Sequence, residues 1–286
     1  MIYNKGGNAL NFAYSVDGEP ISSAYDIDGL QIFSAQPISL RVMSYNCGQW
    51  YKGSGSGIST EGTNAVNYRA LLQSIMTAQN PDILCIQEYW DIIGSSAVKD
   101  LLTAYPYYRE VNGRTGYWGH AVYSKYPISG FTTTSLGNNR YLDKLTVTVD
   151  GREINVFNCH LDTSSNENAK VAQAKSVFDT VSTYRTFILC GDFNTVCKSV
   201  SDTEYSTIMA QFVNAGFHVG NCSSQHGFID TYTDGSTAEG TWYPCDHIIT
   251  SRDISINSVY TDTTKLTDGL SETIDHLPFV ANVTVN

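Results

Sequence analysis

Charge is what this sequence has little of. Only 16% of its 286 residues are Asp, Glu, Lys or Arg, and 17 basic residues against 28 acidic ones leave a formal net charge of −11. Such a chain does not grip nucleic acid through a broad basic surface, because neutralising phosphates takes clustered Lys and Arg. An enzyme that meets phosphate through a local metal ion stays open. No stretch approaches the ~20 apolar residues of a membrane-spanning helix. The start, Met1-Ile2-Tyr3-Asn4-Lys5, lacks the charged-then-apolar pattern of a secretion signal. The seven cysteines are odd in number and form no C-x-x-C pair. Cys85, Cys159 and Cys190 fall inside apolar strand-like runs, where cysteine acts as a small hydrophobe. Together these features predict a reducing compartment, the cytoplasm.

Hydrophobic residues make up 42% of the chain, enough for a full core, and the length suits one large domain with or without an appendage. Residues 13–34 hold an internal repeat: Ala13 to Ser23 is echoed by Ala24 to Ser34. Each copy alternates apolar and polar residues around an Asp-Gly pair, Asp17-Gly18 and Asp28-Gly29, which is a hairpin signal. Two copies are too few for a free-standing solenoid, which needs about three. Residues 1–37 are therefore expected to form a small β appendage that packs on the main domain or on an unknown partner. Residues 38–286 are expected to form the main domain, with Gln36-Pro37 at the boundary.

Within that domain, Leu40 to Tyr45 alternates as a strand and ends at Asn46. Residues 52–63, rich in Gly, Ser and Thr, read as a loop. A helix is predicted from Ala65 to Gln79, stopped by Pro81, and a buried strand from Asp82 to Gln87 that ends at Glu88. Another strand covers 119–128. Lys144 to Val149 and Glu153 to Cys159 pair through the turn Asp150-Gly151, and the second delivers His160. Ser164 to Glu167 has the capping-box pattern and is expected to open a helix with Val171, Ala174, Val177, Phe178 and Val181 inward. The apolar run Phe187-Ile188-Leu189-Cys190 follows. Gly191 is read as freeing the backbone to turn, with Asp192 and Asn194 at the strand's exposed end. A helix over 204–215, a strand from Asp246 and a last strand after Asp275-His276 complete the chain. Strands dominate, and the hairpin argues against an all-parallel sheet, so the fold class is α/β or α+β, layered with sheets inside and helices outside.

Asn46, Glu88, His160, Asp192, Asn194, Asp246, Asp275 and His276 all stand where an apolar strand meets a loop. Each is of a type that binds hard metals, moves protons or holds phosphate. Any one of them is ordinary strand-end polarity, but eight form a pattern. Hard divalent cations prefer carboxylate and amide oxygens, and Glu88 with Asn46 and Asp275 would supply them. A His paired to a carboxylate is a proton shuttle, and His276 with Asp246 is the candidate pair. Asp192 and Asn194 together can hold a phosphate oxygen, a metal or an attacking water. His247 follows Asp246 and is expected to point to the other strand face. Arg114 and Arg140 are read as equally suited to phosphate contact and to plain surface charge. Tyr117 and Trp118 are read as suited either to stacking on a base or to core packing.

Ser44-Tyr45-Asn46, Leu84-Cys85-Ile86-Gln87-Glu88, Asn158-Cys159-His160-Leu161, Gly191-Asp192-Phe193-Asn194, Asp246-His247-Ile248 and Asp275-His276-Leu277-Pro278 resemble, in order, the motifs of the endonuclease/exonuclease/phosphatase superfamily. The superfamily includes deoxyribonucleases, abasic-site endonucleases, neutral sphingomyelinases and inositol polyphosphate 5-phosphatases. The resemblance implies a four-layer α/β/β/α sandwich of two packed mixed sheets. It implies Mg²⁺ or Mn²⁺ on Glu88, with Asn46 and Asp275 close by. It further implies that His276, oriented by Asp246, acts on the nucleophile or phosphate, that Asp192 and Asn194 position water and phosphate, and that His160 is a second proton-transfer or phosphate contact. Abasic-site enzymes carry Asn-x-Asp in the first motif; Asn46-Cys47-Gly48 departs from that. The implied activity is metal-dependent hydrolysis of a phosphoester, foremost by a deoxyribonuclease-like endonuclease acting on DNA as a monomer. A phosphatase or a sphingomyelinase-like phospholipase of the same fold is the alternative, and a catalytically idle binding module the third.

Overall fold

The computed structural model describes residues 36–48, 74–89, 103–111, 119–163, 166–233, 242–263 and 275–286, and the backbone of 13–14, 20–21, 23–25 and 31–34. The loop at 52–63, most of the helix expected from Ala65, Ser164, Arg114, Tyr117 and Trp118 lie outside the described residues.

Near the start, β1 (Ala13–Tyr14) pairs antiparallel with β2 (Pro20–Ile21), and β3 (Ser23–Tyr25) with β4 (Gln31–Ser34). The two pairs fall on either side of the two Asp-Gly positions of the repeat.

The main body is built from two six-stranded sheets. The first holds β5 (Ile38–Asn46), β6 (Ile83–Tyr89), β7 (Tyr107–Val111), β8 (Gly119–Ser124), β15 (Ile254–Thr261) and β16 (Phe279–Val285), in the order β15-β16-β5-β6-β8-β7. The second holds β9 (Ile128–Gly137), β10 (Arg140–Val149), β11 (Arg152–His160), β12 (Phe187–Asp192), β13 (His218–Val219) and β14 (Asp246–Thr250), in the order β13-β14-β12-β11-β10-β9. Each sheet is mixed. β5 and β6 are parallel in the first, β11 and β12 in the second, and the other pairs are antiparallel.

The central strands are buried on both faces, which is why their sequences run apolar without a polar alternation. Leu40 and Val42 of β5 and Ile83 and Cys85 of β6 meet Val156, Ile188, Cys190 and Ile248 in the core between the sheets. Their neighbours Met43, Tyr45, Leu84 and Ile86 face outward, against Ile75 and Met76 of the helical residues 74–79. On the far side, Phe157, Phe187 and Leu189 pack under α1 (Glu167–Val181) and α2 (Ala210–Asn214) through Ala174, Val177, Val181 and Phe212. Fully burying each such side chain contributes about 1.5–3 kcal/mol. The result is an α/β/β/α sandwich.

Three local expectations are corrected. α1 begins at Glu167 after Asn166, whose amide donates to Asp162 Oδ2 at 3.2 Å instead of capping the helix. The helix expected over 204–215 is present, but its first part is π-helical, Tyr205–Met209, ahead of α2. Gly191 makes no turn. It lies inside β12 opposite Cys159, where a Cβ would fall 2.6 Å from the Cys159 carbonyl oxygen. The glycine permits close strand approach, and the turn comes at Asn194, with φ +51°.

Candidate active site

The parallel pairs β5–β6 and β11–β12 point their C-terminal ends the same way, and both sheets deliver polar side chains to one edge of the sandwich. Asn46 ends β5, His160 ends β11, Asp192 ends β12, and Asp246 begins the antiparallel β14. Register places His160 opposite Asp192 and Asp192 opposite Asp246.

Asp192, almost wholly buried, is the hub. Its Oδ2 accepts from Asn46 Nδ2 at 2.9 Å and lies 3.4 Å from His160 Nε2 and 3.6 Å from His276 Nε2. Its Oδ1 accepts from the Asn194 backbone N–H at 2.7 Å. Burial raises Asp192 to about 6, the positive field of His276 opposing and Asp246 adding to the rise. His276 Nδ1 lies 2.8 Å from Asp246 Oδ2, which turns Nε2 toward Asp192. Burial alone would lower His276, but the charges of Asp246 and Asp192 outweigh it and push its pKa up to about 10. His276 is thus an imidazolium gripped between two carboxylates.

Asn46 joins this hub to Glu88. Its Nδ2 is also 3.3 Å from Glu88 Oε1, and its Oδ1 accepts from the Gly48 N–H at 3.0 Å. Glu88 sits where the β6–β8 register slips between Gln87 and Tyr89, with φ +54°. A bulge of this kind re-aims one side chain, here toward the site. Gly48 has φ +57°, and a Cβ there would lie 3.7 Å from Asp275 Oδ1, so the Asp275 carboxylate rests against the turn that Asn46 begins. Glu88 therefore lies beside the Asn46 carboxamide and Asp275 against the turn that follows it, with the Asn46 Oδ1 held by the Gly48 N–H. These hard oxygen donors suit a divalent cation such as Mg²⁺. Asp192, Asp246 and His276 also bring ligand atoms within 4.8 Å of one another. Those atoms already bind each other, and the set includes a charged imidazole, so it fits a proton relay better than a cation seat.

Asn194 is anchored through its Nδ2 to the Leu161 carbonyl at 3.0 Å. Its own carbonyl accepts from Lys170 Nζ at 2.9 Å. Lys170, fully buried on α1, is ion-paired with Glu204, whose Oε2 accepts from the Val196 N–H at 2.5 Å. His247 turns away from the site as expected. It is buried, 2.8 Å from Thr195 Oγ1 and against the Phe193 ring, and burial lowers its pKa to about 4.

Sequence reasoning left Arg140 open between phosphate contact and surface charge, and it did not single out Asn158, Lys170, Lys198, Tyr232 or Tyr243. Arg140, at the start of β10 and 5% exposed, is drawn down in pKa by burial, while Asp192, Asp162 and Glu88 lie close enough to oppose that shift. It is therefore a buried cation within the field of Asp192 and Glu88, not a surface charge. Asn158 links the sheets. Its Oδ1 accepts from Gln87 Nε2 at 2.7 Å, and its Nδ2 donates to the Ile86 and Ala121 carbonyls at 2.8 and 3.2 Å. Beside His276, the Tyr232 ring meets the imidazole edge-on at 5.1 Å, Tyr243 stacks on Tyr232 at 6.4 Å, and Lys198 Nζ lies 4.9 Å over Tyr243. The presence of Asn158 in a quoted motif was a usable signal; the placement of Lys170 and Arg140 depends on long-range packing.

Comparison with known proteins agrees with this architecture. The family model described as Endonuclease/Exonuclease/phosphatase family matches residues 44–268. No curated protein matches the chain. Among solved structures, an endonuclease/exonuclease/phosphatase from Beutenbergia cavernae is similar at TM-score 0.66 and 18% identity, covering 87% of this chain and 72% of that one. One from Bacteroides vulgatus is similar at TM-score 0.65 and 16% identity, covering 87% and 100%. D. rerio TDP2, complexed with a single-strand DNA product, is similar at TM-score 0.62 and 16% identity, covering 86% and 98%. At these identities the structures speak to fold, and the family match carries the assignment. The chain belongs to the endonuclease/exonuclease/phosphatase family, whose members are typically metal-dependent phosphoester hydrolases.

Proposed function

We propose that this protein is a metal-dependent phosphodiesterase acting on DNA, a deoxyribonuclease-like endonuclease. The observation that carries the reading is the convergence on Asp192 Oδ2 of Asn46, His160 and His276, with Asp246 behind His276. A phosphoryl group seated there faces two imidazole Nε2 atoms and the Arg140 guanidinium, while Asp192 lies in reach of a water aimed at phosphorus. In this reading Asp192 orients that water and accepts its proton. Asn194 fixes Asp192 through its backbone N–H. His276, held charged by Asp246, hydrogen-bonds a non-bridging oxygen as charge builds on it, and His160 contacts a second oxygen or the leaving group. Asn46, Glu88 and Asp275 would hold Mg²⁺ or Mn²⁺, which when bound supplies a Lewis acid that offsets phosphate charge.

Two features favour DNA over other phosphoesters. The Tyr232–Tyr243 pair adjoining His276, with Lys198 above it, offers a planar surface and a cation for a base and a neighbouring phosphate. The related fold of D. rerio TDP2 was captured with a single-strand DNA product. The net charge of −11 favours the second reading, a phosphatase or phospholipase on a smaller ligand.

Plasmid nicking with Mg²⁺, with Mn²⁺ and with EDTA, alongside His276→Ala, separates the readings. The expected result is nicking that needs metal and is lost in the variant. A folded protein that leaves plasmid intact but releases phosphate from monoesters, or head groups from detergent micelles, would replace the nuclease reading with the second.

A further inference from the structure

Behind the loop that carries Asn194, three cysteines with no part in the chemistry above lie together. Cys197 Sγ is 3.2 Å from Cys222 Sγ. Cys245 Sγ, the third, faces the Thr195 carbonyl at 3.2 Å. All three are buried. Cys197 and Cys222 sit in loop segments, not in ladder-paired strand, so their backbones can adjust to a bond. Cys85 and Cys190 also touch, but both are fixed in the centre of the packed sheets. Cys222 has a left-handed backbone, φ +54°, with its N–H donating to Asn221 Oδ1 at 2.9 Å. That conformation brings its thiol to Cys197 across 25 residues of sequence.

We propose that Cys197 and Cys222 close an intramolecular disulfide that ties the loop after Asn194 to the segment supporting Asp246. Both ends of the tie reach the site. Cys197 follows Val196, whose N–H is held by Glu204. Cys222 follows Asn221, whose Nδ2 donates to the Asp246 carbonyl at 3.0 Å and the Ile229 carbonyl at 2.9 Å. The bond would fix the spacing of the two loops that present Asp192 and Asp246.

The oxidant is a small-molecule or protein disulfide. One cysteine thiolate attacks it and releases a first thiol. The other cysteine thiolate then displaces the second thiol and forms the Cys197–Cys222 bond. Two electrons pass to the oxidant, and two protons pass to the released thiolates. Burial first, and then the neighbouring Cys197 thiol, raise Cys222 far above the ordinary thiol range, which disfavours exchange once the core has closed. The bond therefore forms during folding and requires an oxidising compartment, contrary to the compartment expected from the cysteine pattern.

The test reads no catalytic activity and is independent of the hydrolase reading. The full chain, secreted into an oxidising compartment, is unfolded in iodoacetamide without reductant and mapped by mass spectrometry. The expected result is five of the seven cysteines alkylated and one peptide pair joining Cys197 to Cys222, separable by reductant. Seven alkylated cysteines, a free Cys222, or a bond from Cys197 to Cys245 would overturn the proposal. Thermal unfolding gives a second readout: reductant should lower the midpoint of the wild type by about 5 °C and leave that of Cys197→Ser/Cys222→Ser unchanged. A wild-type midpoint indifferent to reductant would refute the clamp, and the mapping stands alone if the variant does not fold.

Discussion

Gly191 has no room for even one more carbon. A methyl there would press on the Cys159 carbonyl, which is backbone and cannot swing aside. Gly191→Ala should therefore destabilise the protein by about 1–3 kcal/mol, as overpacking does, and part β11 from β12 beneath His160 and Asp192. Denaturant unfolding measures the first effect and turnover the second. His247 makes a prediction of the opposite kind, about pH. Its pKa in the fold is about 4, below the 6.5 of a free imidazole. Above pH 6.5 it is neutral in both folded and unfolded chains, and its full contribution is present. As pH falls below 6.5 the unfolded chain takes up a proton that the fold refuses until about pH 4. Stability should thus fall across that window by up to about 1.4 kcal/mol per pH unit, and the slope should flatten in His247→Gln. Equilibrium unfolding from pH 7 to 4 reads it, wild type against variant.

At the scale of elements, α1 reaches the site through one side chain. Lys170 is fully buried, holding the Asn194 carbonyl and Glu204 together. Lys170→Met leaves Glu204 buried with no cation and should cost about 3–5 kcal/mol, with turnover falling as Asn194 loosens. Lys170→Met with Glu204→Leu should recover much of the stability and little of the turnover, because the Asn194 carbonyl and Val196 N–H stay unheld. Denaturant unfolding and kcat on one substrate, for the single and double variants, check both parts.

The same pair shows what the sequence made legible. Continuous apolar runs such as Phe187 to Cys190 read as buried strands, and a polar residue closing each run marked the common edge. The hairpin at Asp150-Gly151 was equally readable, since both residues take left-handed backbones there. Lys170 was not legible. On a helical wheel it falls on the inward stripe with Ala174, Val177 and Val181, where a lysine looks out of place, and the glutamate that neutralises it lies 34 residues away. Glu88 was read as a strand-end ligand from its place in the chain, but the bulge that aims it is a property of its pairing with β8. Arg140 stayed open between phosphate contact and surface charge because nothing local says that it is buried within the field of Asp192, Asp162 and Glu88.

For the molecule as a whole, the two sheets each contribute half of the site. Asn46 and Glu88 come from the first; His160, Asp192 and Asp246 come from the second. If Asn46, Glu88 and Asp275 hold a cation as proposed, it binds the packed state alone, so it should stabilise folding by linkage. At a hundredfold excess over its Kd the gain is about 2.7 kcal/mol. Titrating Mg²⁺ or Mn²⁺ should raise the thermal midpoint of the wild type, and Glu88→Gln should lose that rise while keeping its metal-free midpoint. This readout holds whatever the substrate is.

The strand order carries one more implication, about timing. β16, last in sequence of the described strands, does not lie at a sheet edge but is threaded between β15 and β5, register-paired with β5 from Ile38 to Ser44. The strand that ends in Asn46 thus lacks one neighbour until residues 279–285 have been made, and Asp275 and His276 arrive only just before them. If the site works as proposed, cleavage cannot begin until residues 279–285 have been made and paired with β5.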